Sequence, residues 1–283
     1  MSGAPDTTDS RADEAPTDET PADEQTGRGE RIAKRLARAG LCSRREAERW
    51  IAEGRVSVDG RVIDSPATLV TEASAIRVDG RELPRAERTR LWRYHKEAGV
   101  LTTHRDPKGR PTLFARLPPN LPRVVSVGRL DFNSEGLILL TNDGTLARHL
   151  ELPATGLVRR YRARVHGHAD PQALARLARG VVVEGVRYGP IKAAVERVQG
   201  TNAWLTIALS EGKNREVRKI CVHLGLQVTR LIRVAYGPFQ LGELKPGEVA
   251  EVPVRVLREQ LGASAAQRLV PPKREHAHRR GSA

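Results

Sequence analysis

The sequence has two cysteines, Cys42 and Cys221, among 283 residues, and no Cys-x-x-Cys pair. A disulfide framework and a cysteine-rich zinc module are therefore excluded, and we expect each cysteine to be a small buried hydrophobic residue. Long hydrophobic runs are also missing, since the longest purely aliphatic stretches are residues 137–140 and 181–183. A membrane-spanning helix needs about 20 apolar residues. With no secretory signal pattern at the N-terminus, we expect a cytoplasmic protein without a membrane partner.

Common cofactor and metal signatures are absent as well. No GxGxxG, HExxH or GxSxG motif occurs, and Gly212-Lys213 lacks the upstream glycine of a phosphate-binding loop. His166 and His168 share one face of a predicted strand, but no acid or thiolate joins them. We interpret them as surface histidines and expect neither a metal ion nor a cofactor.

Charge is abundant and unevenly distributed. The formal net charge is +14, and residues 1–30 contribute −7 of it through nine acidic and two basic side chains, so the remaining chain carries +21. A body this basic favours a polyanionic partner, with nucleic acid as the first candidate.

Composition divides the chain into two tails and two folded units. Residues 1–29 are rich in Asp, Glu, Thr and Pro with almost no apolar side chains, which predicts a disordered acidic tail. Residues 263–283 end in basic clusters and predict a basic disordered tail. Between them we place one unit over residues 30–90 and a second over residues 91–262.

Helical spacing and turn signals define the first unit. Ile32 and Leu36 recur at helical spacing until Gly40 ends the helix. Ser43 and Glu46 form a capping box that begins a second helix, and two Asp-Gly pairs then predict hairpins. Two short basic helices beside a small sheet follow from this pattern. The cations on these helices are candidate RNA contacts: Arg31, Lys34, Arg35, Arg38, Arg44, Arg45 and Arg49.

The second unit mixes strands and helices without regular βαβ alternation, which predicts an α+β fold with a mainly antiparallel sheet. Residues 124–127 and 137–140 are predicted strands, and the unbroken apolar run of the latter predicts burial on both faces. In residues 161–165, Tyr161 shares one face with Ala163 and Val165. A helix is predicted near residues 215–224, with Gly225 at its end.

Three side chains of this unit are candidates for chemistry. Asp131 lies on a loop between two apolar strands, where a carboxylate is held rigidly; it could equally cap its own turn. Arg218 lies at the edge of the apolar stripe of the predicted helix and offers a cation, although a solvated basic face is the simpler interpretation. Tyr161 is either a core tyrosine or a flat platform for a planar base.

A resemblance to known families bears on these alternatives. Residues 30–76 resemble an S4-like RNA-binding domain, through IAKRLA at 32–37, SRREAE at 43–48 and GRVSVDG at 54–60. Residues 91–255 resemble the RsuA/RluB family of ribosomal RNA pseudouridine synthases, and most closely its large-subunit type. The motifs that carry this second resemblance occur in the family's order and are DPKGRPT at 106–112, GRLDFNSEGL at 128–137, TNDG at 141–144, EGKNREVR at 211–218 and TRLIR at 229–233.

The resemblance implies roles for particular residues. Asp131 matches the catalytic aspartate, Tyr161 the active-site tyrosine and Arg218 the basic residue that pairs with the aspartate. Arg129 matches the residue that displaces the target uridine, and Lys213 and Arg215 are candidate phosphate contacts. Lys96-Glu97 departs from the family's usual Lys-Pro, and Ser134 replaces a threonine.

The reaction that the resemblance implies needs no cofactor, because uridine is isomerised without any electron or group from outside. We therefore expect a cytoplasmic, monomeric pseudouridine synthase that acts on ribosomal RNA, with 23S rRNA as the expected substrate. Two alternatives remain at this point: a non-catalytic RNA-binding or ribosome-assembly factor, and the same reaction on 16S rRNA.

Overall fold

The computed structural model describes residues 29–270, and these form two units connected by residues 83–90. The acidic tail predicted over residues 1–29 lies outside the described residues except for Gly29. The same holds for residues 271–283 of the predicted basic tail.

The first unit packs two helices against short strands. Its elements are β1 (Glu30–Arg31), α1 (Ile32–Arg38), α2 (Arg44–Ala52), β2 (Val56–Val58), β3 (Arg61–Val62), β4 (Leu69–Val70), β5 (Ile76–Val78) and β6 (Arg81–Glu82). Strands β3, β2, β5 and β6 form a four-stranded antiparallel sheet in that order, and β1 pairs with β4. The predicted capping box is confirmed, since Ser43 Oγ accepts from the Glu46 amide and Glu46 accepts from the Ser43 amide. Ile32, Leu36 and Ile51 are fully buried in the small core.

The second unit is larger. Its elements are β7 (Leu91–Lys96), β8 (Val125–Val127), β9 (Glu135–Thr141), α3 (Gly144–Glu151), β10 (Arg159–His166), α4 (Pro171–Arg176), β11 (Val181–Val183), β12 (Val186–Tyr188), β13 (Ile191–Gln199), β14 (Asn202–Leu209), α5 (Glu216–His223), β15 (Gln227–Tyr236), β16 (Phe239–Gln240), β17 (Val249–Glu251), α6 (Val254–Leu261) and α7 (Ala263–Leu269). Short 3₁₀ turns follow β7, α3 and α4 at Phe114–Arg116, Pro153–Thr155 and Leu177–Arg179.

A nine-stranded sheet organises this unit. Seven strands follow the order β13-β14-β10-β15-β9-β7-β17, while β16 adds to β15 and β8 adds to β9. The β15–β9 pair is parallel, and the other ladders of this sheet are antiparallel. The predicted α+β class with a mainly antiparallel sheet is therefore confirmed.

Strand β9 lies at the centre of the unit because its apolar side chains serve two cores. Leu137 and Leu139 pack into a cluster with α3, α6 and α7, whereas Ile138 and Leu140 pack into a cluster with β7 on the other side of the sheet. The predicted burial of this run on both faces is confirmed. The loop before β9, which carries Asp131, is thus anchored to a rigid strand.

The prediction of a disordered tail from residue 263 is wrong for residues 263–270. Residues Ala263–Leu269 form helix α7, and Ala265, Leu269 and Val270 are buried against the cluster of α3 and α6. Three of the five apolar side chains in residues 263–270 are small alanines, but α3 and α6 present an apolar surface that covers them. Tertiary packing therefore stabilises a helix whose own sequence is a weak signal.

Both cysteines are buried as predicted, and burial raises the pKa of Cys42 to about 11 and that of Cys221 to about 12. Within residues 29–270, no helix is long and apolar enough to span a membrane.

Candidate functional site

An open cavity of about 750 Å³ lies between the loop of residues 128–134 and the facing strands β10 and β15. We call this loop the Asp131 loop. Five of the side chains predicted from the sequence line the cavity: Arg129, Asp131, Tyr161, Lys213 and Arg215. Segments far apart in the sequence thus meet at one place, since the Asp131 loop precedes β9, Tyr161 lies in β10 and Arg215 precedes α5.

Hydrogen bonds at both ends fix the Asp131 loop. The Gly128 amide donates to Glu151 Oε1 at 2.7 Å, and Thr102 Oγ1 donates to the Leu130 carbonyl at 3.0 Å. The Ser134 amide donates to the Asp131 carbonyl at 3.0 Å and closes a turn. The Asp131 carboxylate is therefore presented from a backbone that is held on both sides of it.

Lys96 is buried beneath this loop and was not identified as a site residue from the sequence. Its side chain is fully inaccessible, and Nζ donates to the Ser134 carbonyl at 2.7 Å, the Glu97 carbonyl at 2.9 Å and the Asp131 carbonyl at 3.1 Å. Burial lowers its pKa to about 8, against the opposing effect of the Asp131, Glu135 and Glu97 carboxylates. Lys96 thus holds the backbone of the loop from Asp131 to Ser134. In the sequence it stands out only as the first residue of Lys96-Glu97, where the family usually has Lys-Pro.

Arg218 supports the same loop from α5, but it is not paired with Asp131 as predicted. Its Nη2 donates to the Asn133 carbonyl at 2.8 Å and its Nη1 to the Val228 carbonyl at 3.3 Å. No salt bridge joins Arg218 to Asp131 in the described part of the chain, and Arg218 does not line the cavity. Burial, followed by the nearby charge of Arg215, lowers the pKa of Arg218, while the Asp131 charge raises it. The guanidinium of Arg218 thus holds backbone carbonyls of the Asp131 loop and of β15.

Tyr161 forms part of the cavity wall on β10. It is half-buried, and it packs against the clusters on both sides of the central sheet region. Ala163 and Val165, which share its face, are fully buried, so the predicted alternation of this strand is confirmed. A tyrosine in this place presents a ring edge or face to any planar group in the cavity.

Arg129 and Arg215 lie at the junction of two depressions. Both line the main cavity, and both also line a neighbouring one of about 390 Å³ on the other side of Asp131. Arg215 adopts a left-handed backbone conformation with φ of 50°, which is uncommon for a side chain of this size. Asp131 therefore lies where both depressions meet, together with two arginines that have long side chains.

Comparisons with known proteins match this architecture. A profile of the RNA pseudouridylate synthase family matches residues 90–223, and a profile of the S4 domain matches residues 30–81. An uncharacterized RNA pseudouridine synthase of Rickettsia prowazekii is 45% identical over 231 residues, which are 82% of this chain and 97% of that protein. The chain belongs to the RNA pseudouridine synthase family.

Two further matches show how far the likeness extends. Ribosomal large subunit pseudouridine synthase B of Yersinia pestis is 44% identical over 75% of this chain and 69% of its own length. A crystal structure of a pseudouridylate synthase has a TM-score of 0.57 and 24% identity, and it covers 81% of this chain and 99% of its own. The fold of the two units is thus a known one, and the protein is an RNA-binding isomerase.

The S4 domain of this pseudouridine synthase uses one of its predicted RNA contacts for a different purpose. Arg38 Nε lies 3.2 Å from Asp143 of the catalytic unit, and its Nη2 donates to the Glu87 carbonyl at 2.7 Å. Thr89 Oγ1 donates to the same Asp143 carboxylate at 2.7 Å. Arg38 therefore connects the two units, and its contact with RNA stays a prediction.

The other predicted RNA-binding cations differ in how freely they are presented. Lys34 and Arg35 pair with Glu30, Arg49 pairs with Glu46 and Glu53, and Lys213 pairs with Glu211. Among the seven cations predicted from the first unit, Arg31, Arg44 and Arg45 are exposed and have no salt bridge within residues 29–270. These three can contact a phosphate backbone without first breaking an ion pair.

Proposed function

We propose that this pseudouridine synthase isomerises a specific uridine of 23S rRNA in the large ribosomal subunit. The observation that supports the substrate is the 44% identity to a protein named ribosomal large subunit pseudouridine synthase B, over three quarters of this chain. The S4 domain and the strongly basic body agree with a large structured RNA as the partner.

Asp131 is the carboxylate that we assign to the reaction, because the other carboxylates of the cavity are already engaged. Glu151 accepts from the Gly128 amide, Glu216 accepts from the Lys213 amide at 2.9 Å, and Glu211 pairs with the Lys213 ammonium. The Asp131 carboxylate has no hydrogen-bond donor among the described residues, although it lines the cavity. Among the described residues it is therefore the cavity carboxylate that has neither a hydrogen bond nor a salt bridge to its side-chain oxygens.

The chemistry requires a group of this kind. The N1–C1′ bond of uridine breaks, the uracil turns, C5 bonds to C1′, and the proton lost from C5 is balanced by one gained at N1. Asp131 serves either as the nucleophile at C1′ or as the base that removes the C2′ proton in a glycal route. Both routes need only this carboxylate and no outside reactant, so we propose that the enzyme works without a cofactor.

Arg129 and Tyr161 supply the access and the binding surface that such a reaction needs. A uridine in a stacked helix cannot reach Asp131, so it must turn out of the stack. Arg129 is two residues from Asp131 on the same loop and lines the same cavity, so we assign it to the space that the base leaves. Tyr161 offers stacking to the extruded uracil, which is worth about 1–3 kcal/mol per base.

The test compares pseudouridine maps of 23S and 16S rRNA from a strain with the gene deleted and from the same strain with the gene restored. The proposal expects one or a few pseudouridines to disappear from 23S rRNA and to return on restoration. Loss from 16S rRNA instead would contradict the assigned subunit, and loss from neither RNA would contradict a ribosomal substrate.

We also propose that the enzyme acts as a cytoplasmic monomer, as the sequence predicts. Sedimentation of the purified protein at micromolar concentration should give a single species near the chain mass of 31.1 kDa. A stable dimer would contradict this part of the proposal.

A further inference from the structure

Arg233 is a buried cation in the wall of the catalytic cavity, and none of the roles assigned so far uses it. It lies in β15, within the TRLIR segment, and it lines the same cavity as Asp131 and Tyr161. Only 3% of the residue is exposed. Charged side chains are almost never buried to this extent without a partner.

The guanidinium of Arg233 is incompletely paired. Its Nε donates to the Leu137 carbonyl at 2.7 Å, and its Nη2 is buried without a hydrogen-bond partner among the described residues. No salt bridge involves Arg233 in that part of the chain, and its other close neighbour is the Tyr236 ring, 5.1 Å from the guanidinium carbon. A fixed positive charge of this kind remains unbalanced until an anion or a strong acceptor enters the cavity.

Strand register places Arg233 between Tyr161 and the first residues of β9. Arg233 is the direct cross-strand partner of Tyr161 in the β10–β15 ladder, so the two side chains lie on the same face of the sheet. On its other side, Arg233 is paired with Gly136 of β9, five residues after Asp131. A Cβ at position 136 would lie 2.4 Å from the Arg233 carbonyl oxygen, so glycine is required for this close approach. The backbone thus holds Arg233 between the proposed stacking tyrosine and the Asp131 loop.

From this arrangement we infer that Arg233 is a further catalytic residue, which contacts the uracil and stabilises the negative charge that the base carries when it is detached. The inference rests on the reaction proposed for Asp131. When the N1–C1′ bond breaks, the electron pair stays on uracil, and the anion is delocalised over the ring and its carbonyl oxygens. C5 uses this electron pair to bond to C1′; in the nucleophilic route Asp131 leaves C1′, and in the glycal route C2′ regains its proton. C5 then releases its proton and N1 takes one up, so the product is neutral. A buried guanidinium that is already fixed in the cavity wall stabilises such a transient anion with little reorganisation.

The alternative is that Arg233 only supports the fold through the Leu137 carbonyl. A substituent on the base separates the two roles. Fluorine at C5 withdraws electrons and makes the uracil anion a weaker base, so detachment of 5-fluorouracil needs less stabilisation. Loss of a leaving-group stabiliser must therefore slow the natural base more than the fluorinated one, whereas a damaged fold slows both by the same factor.

The experiment uses the full chain and transcripts of both ribosomal RNAs, made with either UTP or 5-fluoro-UTP. Single-turnover loss of the target nucleoside is measured under saturating protein by chromatography of nuclease digests, for the wild type, Arg233→Gln and Arg233→Lys. Arg164→Gln is the matched control, because Arg164 is exposed on the neighbouring strand and points to the opposite face from Tyr161. Thermal unfolding and RNA affinity are measured for every variant.

We expect Arg233→Gln to slow the reaction of uridine by about 10²–10³-fold, the usual effect of removing one such donor. Its effect on 5-fluorouridine should be at least about tenfold smaller, Arg233→Lys should show the same bias with smaller losses, and Arg164→Gln should behave as the wild type. Equal slowing of both substrates, or no slowing of uridine, would overturn the inference. If Arg233→Gln fails to fold, Arg233→Lys alone decides by the same ratio. A wild type that acts on the 16S transcript instead would contradict the proposed subunit and leave this test intact.

Discussion

Replacement of Lys96 by methionine tests the buried lysine beneath the Asp131 loop. Methionine has a similar length and no charge, so it fills the site but leaves the carbonyls of Ser134, Glu97 and Asp131 without their ammonium donor. Burial lowers the pKa of Lys96 from 10.5 to about 8 in the folded protein. At about 1.4 kcal/mol per pH unit, this difference corresponds to about 3 kcal/mol between the two protonation states.

The sign of the pH dependence follows from proton linkage. Between pH 8 and 10.5 the unfolded chain keeps the Lys96 proton while the folded protein has lost it, so the unfolded state binds more protons. The cost of burying the ammonium is present in full below pH 8 and disappears as the pH rises toward 10.5. The wild type should therefore gain about 2–3 kcal/mol of unfolding free energy relative to Lys96→Met between pH 7.5 and 10.

The assay is urea denaturation of both proteins at four pH values, followed by tryptophan fluorescence, with Trp92 of β7 reporting on the core around that strand. Taking the difference between the two proteins removes the contribution of every other titrating group. A difference that stays constant with pH would mean that the pKa of Lys96 is ordinary, and the buried contact with the Asp131 loop would be refuted. In parallel, Lys96→Met should lower kcat for pseudouridine formation more than it raises KM, because the loop is displaced and the RNA contacts are not.

Three further predictions concern other parts of the molecule. Arg218→Gln should lower kcat by about 10–100-fold without shifting the pH profile of kcat, because Arg218 donates to backbone carbonyls and not to the reacting carboxylate. Partial recovery of kcat at high pH would instead indicate a direct ion pair with Asp131. Gly136→Ala should destabilise the protein by more than about 3 kcal/mol in urea denaturation, since φ is +104° and the new Cβ would meet the β15 backbone. Gly144→Ala is the control and should be tolerated, because a Cβ at position 144 would face open space. Replacing Arg31, Arg44 and Arg45 together should reduce the slope of log affinity against log salt by about 2–3, at about 0.7–0.9 per phosphate contact. Arg38→Gln should leave the slope unchanged, because Arg38 contacts the catalytic unit. Equal effects of the two changes would contradict the assignment of Arg38 to the contact between the units.

Local features of this fold could be predicted from the sequence because they depend on neighbours in the chain. The Ser43 capping box involves residues three apart, and the alternation around Tyr161 is a property of one strand. The unbroken apolar run of β9 likewise predicted burial on both faces. Each of these patterns reflects the geometry of a single helix or strand, which fixes which side chains share a face.

Features that depend on distant segments were missed or predicted wrongly. Lys96 and Arg233 belong to the site because β7 and β15 flank β9, and no local pattern encodes that neighbourhood. Arg38 appeared to be a free cation because its partner, Asp143, lies in the other unit. Arg218 was predicted to pair with Asp131, but which acceptor its guanidinium reaches depends on the path of the Asp131 loop.

The central claim is that Asp131 carries out the isomerisation, and its exchange for asparagine tests this most directly. Asp131→Asn keeps the shape and removes the carboxylate chemistry, and the backbone contacts of the loop remain available. Pseudouridine formation in the 23S transcript by purified Asp131→Asn should be undetectable under single-turnover conditions, while its RNA affinity stays within about twofold of the wild type. Measurable turnover by a pure Asp131→Asn sample would contradict the account.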